Sequence, residues 1–313
     1  MPDSLQRVLG AIHSHPWAIM PDYLAAIEAI AMRAFETGAL AAVAEDGHQA
    51  RLAADMTAIA ATGTPLAGAT MSTVRDGTAV IPVFGPIFPR ATMLNSSAGG
   101  TSLDGIMRDF RVAQADADVS RIVLMIDSPG GVVSGLGEAA AAIRGSAKPV
   151  TAFVTGLGAS AAYWLASQAS EIVLDSSAQV GSIGVAFSMS RQVQPGADGR
   201  MNYEIVSSNA PNKRPDPTTD DGLAALQSEL DGIESVFHAD VAKGRKVSVA
   251  TVRSEFGRGA TVAARRAVEL GMADKIGTLE GVLKGARGAG GKVVGGQRAR
   301  LAAEMQLRRL AAQ

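Results

Sequence analysis

From residue 78 to residue 187 the chain alternates short apolar runs with longer segments of helical periodicity, and few folds accept that alternation. Thr78–Phe84, Arg121–Ile126 and Val150–Val154 are Val- and Ile-rich runs of strand length, the signature of strands buried on both faces. Between and after them, Leu103–Ala115, Leu136–Arg144 and Ala159–Ser167 repeat apolar residues at helical spacing. Glu171–Leu174, Ile183–Phe187 and Tyr203–Val206 read as further short strands. Strand–helix–strand units of this length close by right-handed crossovers, so the spacing predicts an α/β domain with a mostly parallel sheet. Asp220–Val241 reads as a long amphipathic helix and Thr261–Leu270 as another, ended by Gly271.

The flanks differ from this centre. Residues 4–60 read as helical, with Leu5, Val8, Leu9 and Ile12 at helical spacing and an interruption at Pro16. Tyr23–Phe35 forms a second periodic stretch, with Asp22 as its expected N-cap. Thr62–Ser72 is rich in Gly, Thr, Ala and Pro and reads as a linker. The expected division is therefore an N-terminal helical extension and linker over 1–73, the α/β domain over 74–284, and a Gly-rich linker with a basic terminal helix over 285–313. In that last segment Leu301, Met305 and Leu310 lie among arginines.

Composition narrows the chemistry. Apolar residues are 47% of the 313, enough for a substantial core, while aromatics are only 4%, so close helix packing through Ala and Gly is expected. The formal charge of −1 disfavours nucleic acid as the main partner. Cysteine is absent, which excludes disulfides, thiol nucleophiles and cysteine metal sites; neither a metal-ligand cluster nor a cofactor is expected. No apolar run reaches the ~18 residues of a membrane span, and Met1–Arg7 lacks a signal peptide's basic start and apolar core. A soluble cytoplasmic protein is the expectation.

Two segments carry chemistry. In Gly156-Leu157-Gly158-Ala159-Ser160-Ala161-Ala162-Tyr163, a serine stands where a strand turns into a helix. Helix N–H groups are unpaired there, and flanking Gly and Ala leave room for a substrate backbone, which suits a nucleophile beside an oxyanion site. The blander reading is an N-cap serine. In Asp127-Ser128-Pro129-Gly130-Gly131-Val132 a diglycine follows a buried strand, where N–H groups can turn toward a bound oxygen without a Cβ in the way. Alone, that segment is also a plain turn.

The base is less obvious. His13, His15 and His48 precede the linker, and His238 sits mid-helix among surface-like residues, so a Ser-His-Asp arrangement is disfavoured. A Ser-Lys dyad remains, and it requires a lysine sheltered enough to be neutral. Reaching neutrality near pH 7 asks for a drop of roughly 3 units, about 4 kcal/mol. Lys213, in the loop Ser207–Pro215, is the lysine set apart from helix ends and from the Gly-rich tail, although Arg214 beside it also suits a solvated loop.

Together, the Asp-Ser-Pro-Gly-Gly turn, the Ala-Ser-Ala-Ala-Tyr segment and Val180-Gly181-Ser182-Ile183-Gly184-Val185 resemble serine peptidases of the signal peptide peptidase A type. A further stretch, Gly259–Gly277 with Ala264, Ala267, Leu270, Gly271 and Asp274, resembles that family's closing helix and strand. Within the group the chain is most similar to phage head-maturation proteases. The resemblance covers roughly residues 78–280 and implies a ClpP/crotonase-like fold. It further implies Ser160 as nucleophile, Lys213 as general base, Ser182 orienting the lysine amine, and Gly131 and Ala161 as oxyanion-hole donors with Gly130 shaping the turn. The loop Ala-Pro-Asn-Lys-Arg-Pro departs from the Ser-Gly-x-x-Lys of many relatives. In this family the base can also come from a neighbouring subunit, so a homo-oligomer is expected. The implied substrates are phage capsid, scaffold or portal proteins, cleaved in the host cytoplasm or inside an assembling procapsid. Competing readings are a signal-peptide-degrading peptidase, an acyl-CoA enzyme of crotonase type, and an inactive assembly protein.

Overall fold

The structure is a computed structural model that describes residues 16–20, 22–25, 27–29, 62–90, 100–188 and 205–284. Its elements run β1 (Trp17–Ile19), β2 (Thr64–Pro65), β3 (Thr73–Arg75), β4 (Thr78–Phe84), β5 (Ile87–Phe88), β6 (Thr101–Ser102), α1 (Leu103–Ala115), β7 (Arg121–Ser128) and β8 (Gly130–Val132). There follow α2 (Leu136–Arg144), β9 (Val150–Ala159), α3 (Ala161–Ala166), β10 (Glu171–Leu174), β11 (Gln179–Gly181), α4 (Asp220–Arg245), α5 (Val249–Glu255), β12 (Thr261–Ala263), α6 (Ala264–Glu269), β13 (Lys275–Ile276) and α7 (Leu279–Lys284).

At the centre of the larger sheet β4, β7 and β9 lie parallel in that order. The far edge of β9 is shared: Thr151–Val154 pairs with β10, and Leu157–Ala159 pairs with β11, both parallel. Side chains of the central strands alternate between two apolar layers, as the strand period of two requires. Ile81, Val83, Ile122, Leu124 and Ile126 join the core beneath α1, α2 and α3. Val80, Val123, Met125, Phe153 and Val173 face the other way, against Leu283, Leu279 and Val282 of α7. Each such buried side chain contributes about 1.5–3 kcal/mol. The parallel α/β architecture read from the sequence is the observed one.

A second, smaller sheet of order β1-β8-β5-β6 stands where the chain leaves β7. Here the sequence reading needs correction. Residues 17–19, expected within a helical region, form a strand antiparallel to β8. Pro16 lacks the N–H that a helix interior needs, and pairing on the domain satisfies the following backbone instead. Residues 22–25 and 27–29 are helical, but Asp22 lies inside the helix, because the Met20 carbonyl accepts the Leu24 N–H at 3.3 Å. The Gly-Gly-Val run of β8 was not legible as a strand, since glycine is depleted there.

Other elements shift for local reasons. β7 and β9 continue past their predicted ends, to Ser128 and Ala159. Ile183–Phe187 is no strand apart from a bridge at Ala186; pairing there ends at Gly181, φ 117°, and Ser182, φ 51°. Ile205 and Val206 are likewise outside any strand, and residues 203–204 lie outside the described residues. Thr261–Ala263 is a strand ahead of α6, and α4 runs on to Arg245. The predicted terminal helix and Gly-rich segment, with most of the N-terminal extension, lie outside the described residues.

The segment 62–72, read as a linker, is bound to the domain. The buried Asp109 carboxylate of α1 accepts the N–H groups of Thr70, Met71 and Ser72 at 2.6, 3.0 and 3.1 Å, and the Ser72 hydroxyl at 2.7 Å. Replacing Asp109 with Ala is expected to cost about 3 kcal/mol, since each buried donor left without an acceptor costs about 1–3 kcal/mol. Urea unfolding checks this as a lowered midpoint at unchanged slope.

Candidate active site

Ser160 occupies the single residue between β9 and α3, at φ 53° and ψ −117°. A non-glycine residue there is strained by about 1–3 kcal/mol and persists only where its neighbours dictate the backbone. Its N–H donates to the Gly181 carbonyl at 2.7 Å, and its carbonyl accepts the Trp164 N–H at 2.8 Å. Behind it α3 is immobilised. All six residues Ala161–Ala166 are buried. The Tyr163 hydroxyl donates to the Met272 carbonyl at 2.9 Å, and Trp164 stacks on Phe237 at 4.4 Å while its indole N–H reaches Asp240 at 3.0 Å. Burial pushes the Tyr163 phenol far above its ordinary range, so it remains a neutral donor.

The diglycine meets this turn directly. β7 ends in a register shift at Asp127, whose carboxylate accepts the Leu157 N–H at 2.9 Å. The Ser128 hydroxyl bonds the Gly85 carbonyl at 2.6 Å and accepts the Gly130 N–H at 3.2 Å. Gly130 then takes φ 107°. A methyl group built on it would lie 2.9 Å from Ser160 Cβ, 3.1 Å from the Ala161 nitrogen and 2.2 Å from the Ala18 carbonyl oxygen. On Gly131 it would lie 1.9 Å from the Ile87 carbonyl oxygen. Only glycine allows these approaches. Ala161, first in its helix, has no intrahelical acceptor for its N–H. Ser160, Gly130, Gly131 and Ala161 are thus brought to one place.

Ser182 joins them from the next strand. Gly181 pairs with Ala159 across β11 and β9, which sets Ser182 beside Ser160; it is buried, and its N–H donates to the Ala260 carbonyl at 3.0 Å. Lys213 ends the turn Pro211–Lys213, and its side chain is exposed. His238, expected among surface residues, is buried. It lines a cavity of about 350 Å³ with Ile183, Gly184, Glu234 and Arg253. Burial, with the Arg253 charge, holds His238 below the ordinary imidazole range, against an opposing pull from Glu234. A site reached from Ser160 through strand ends and a diglycine was legible in the sequence; the Ala18 carbonyl beside it was not, because no local pattern couples residues 18 and 130.

Residues 88–178 match the Clp protease family model, in keeping with the mixed α/β fold. Residues 142–291 match that of peptidase family S49, so the resemblance read from the motifs is borne out. The chain is 30% identical over 209 residues to Capsid assembly protease C of Escherichia phage lambda, covering 65% of this chain and 47% of that protein. It is 30% identical over 210 residues to the head-tail preconnector protein of Enterobacteria phage P21, covering 65% and 41%. Against Protease 4 of Haemophilus influenzae it is 29% identical over 192 residues, covering 58% and 30%. The chain therefore spans less than half the length of these relatives. Among the described residues no helix is long and apolar enough to cross a membrane.

Two outcomes follow. Gly130→Ala is expected to remove most Ser160-dependent activity, because the methyl group meets Ser160 and Ala161; peptide hydrolysis by the folded variant checks it. With the folded-state proton affinity of His238 depressed, the unfolded chain binds its proton first as pH falls below about 6.5. Stability is then full above that pH and declines below it. His238→Gln should flatten that part of the melting-temperature profile between about pH 7 and 5.

Proposed function

We propose that this chain is a serine endopeptidase working through a Ser-Lys dyad, and that it processes capsid, scaffold or portal proteins during assembly of a phage or prophage head. The observation that carries the reading is the strained Ser160 turn, with the Ala161 nitrogen and the Gly130 backbone gathered around one point beside its Cβ. In this reading the Ser160 hydroxyl attacks a peptide carbonyl and its proton passes to a lysine amine. The oxyanion is held by the N–H groups of Gly131 and Ala161, with Gly130 shaping the turn. The amine returns the proton to the leaving nitrogen, and water hydrolyses the acyl-enzyme.

Lys213 is the proposed base and Ser182 the residue that orients its amine. Lys213 is exposed in the single chain, whereas a lysine base needs shelter from water. The proposal therefore includes a homo-oligomer in which a second copy shelters Lys213 and brings it to a site. The phage substrates rest on the names of the two phage relatives. In this reading the place of action is the host cytoplasm or an assembling procapsid.

Ser160→Ala and Lys213→Ala are each expected to reduce cleavage of an unstructured protein to background while leaving the melting curve unchanged. Ser182→Ala should cost less, about 10²-fold or below, because it forms no bond to substrate. A lysine base also gives kcat/KM an acid limb. Full activity of Lys213→Ala, or a flat profile from about pH 5 to 9, would remove it from the mechanism.

A further inference from the structure

The nucleophile is covered. Ser160 is 1% exposed, and Gly130 and Gly131 are buried, so no other polypeptide reaches them as the chain stands. The cover is the chain's own segment 16–20, lying as an inserted strand hydrogen-bonded along both edges. On one edge the Val133 N–H donates to the Pro16 carbonyl at 3.4 Å and the Met20 N–H to the Pro129 carbonyl at 3.1 Å. In an antiparallel pair hydrogen-bonded partners alternate, so between these two bonds the bonded pair is Ala18 with Gly131. The Gly131 N–H is thereby directed at the Ala18 carbonyl. On the other edge Trp17 exchanges two bonds with Ala186, at 2.9 and 2.8 Å.

This placement sets the Ala18 carbonyl against the turn that carries Ser160. The Ala18 carbonyl oxygen, Ser160 Cβ and the Ala161 nitrogen surround the same point beside Gly130. Of the two proposed oxyanion donors, one is directed at that oxygen and the other lies close by. The Ala18 side chain is fully buried in the main core, leaving no room for a larger one. Trp17 and Ile19 point the opposite way and anchor the strand among Leu24, Ile27, Phe88 and Val132, with Trp17 edge-on to Phe88 at 6.0 Å.

We infer that Pro16–Met20 occupies this chain's own substrate groove, presenting the Ala18–Ile19 bond to Ser160, and that another polypeptide binds only when this strand withdraws. The inference rests on the proposed role of Ser160. The substrate class it names is an extended polypeptide with a small residue before the bond presented and large apolar residues on either side, added as a strand between β8 and Ala186.

The test measures labelling of Ser160 by a fluorophosphonate in the full-length wild type, Ala18→Arg and Trp17→Ala, with peptide mapping to locate the label. A groove occupied by its own strand lowers the apparent rate by the fraction of time it is open, so displacing the strand should raise labelling about tenfold or more. The peptide His-Pro-Trp-Ala-Ile-Met-Pro, added in trans, should slow the variants again. In the wild type, labelling should release protection of the Trp17 and Ala186 amides from hydrogen exchange, a readout that does not depend on any variant folding. Labelling of the folded variants at the wild-type rate, or amides that stay protected in the labelled wild type, would overturn the inference and leave the peptidase reading standing. Ser160 that never labels, in variants or wild type, overturns that reading and the inference with it.

Discussion

The site depends on one short hydrogen bond, the 2.7 Å contact from the Ser160 N–H to the Gly181 carbonyl. It ties the turn after β9 to the end of β11 and fixes Ser160 in a backbone conformation that a free serine avoids. The same pairing delivers Ser182 to its place, with its own φ at 51°. Both serines are therefore held by main-chain hydrogen bonds. The rigidity comes from behind, where α3 is wedged among Phe237, Asp240 and Met272.

A second arrangement braces the elements behind the site. The C-terminal half of α4 and the loop before β13 are joined by Arg245, which donates to both oxygens of Asp274 at 3.1 and 3.0 Å and to the Gly271 carbonyl at 3.0 Å. Asp274 in turn accepts the Ile172 N–H at 2.7 Å. Arg245 is 5% exposed, so removing either partner would leave a buried charge, at a cost of about 3–5 kcal/mol. The sheet edge at β10, the helix that backs α3 and the Met272 carbonyl that receives Tyr163 are thereby one unit.

The small sheet has a different character. β8 has two glycines among its three residues and is held by neighbours on both sides, β1 and β5. Glycine gives a strand little stability of its own, so β8 is ordered by what pairs with it. One of those partners, β1, comes from residues 17–19 of the same chain. Lys213 lies on an exposed turn.

Sequence alone determined the central architecture, because strands buried on both faces must be apolar and helices packed on them must be periodic. Ser160, Ser182 and the diglycine were legible for a related reason: sharp turns at strand ends demand small residues, and small residues in a row are conspicuous. What only the tertiary structure decided was long-range pairing. That residues 17–19 would lie on β8, that 62–72 would be bound by Asp109, and that His238 would be buried depend on partners far away in the chain. A three-residue strand carries too few side chains to announce itself, and its stability comes from hydrogen bonds that exist only once both of its neighbours have folded.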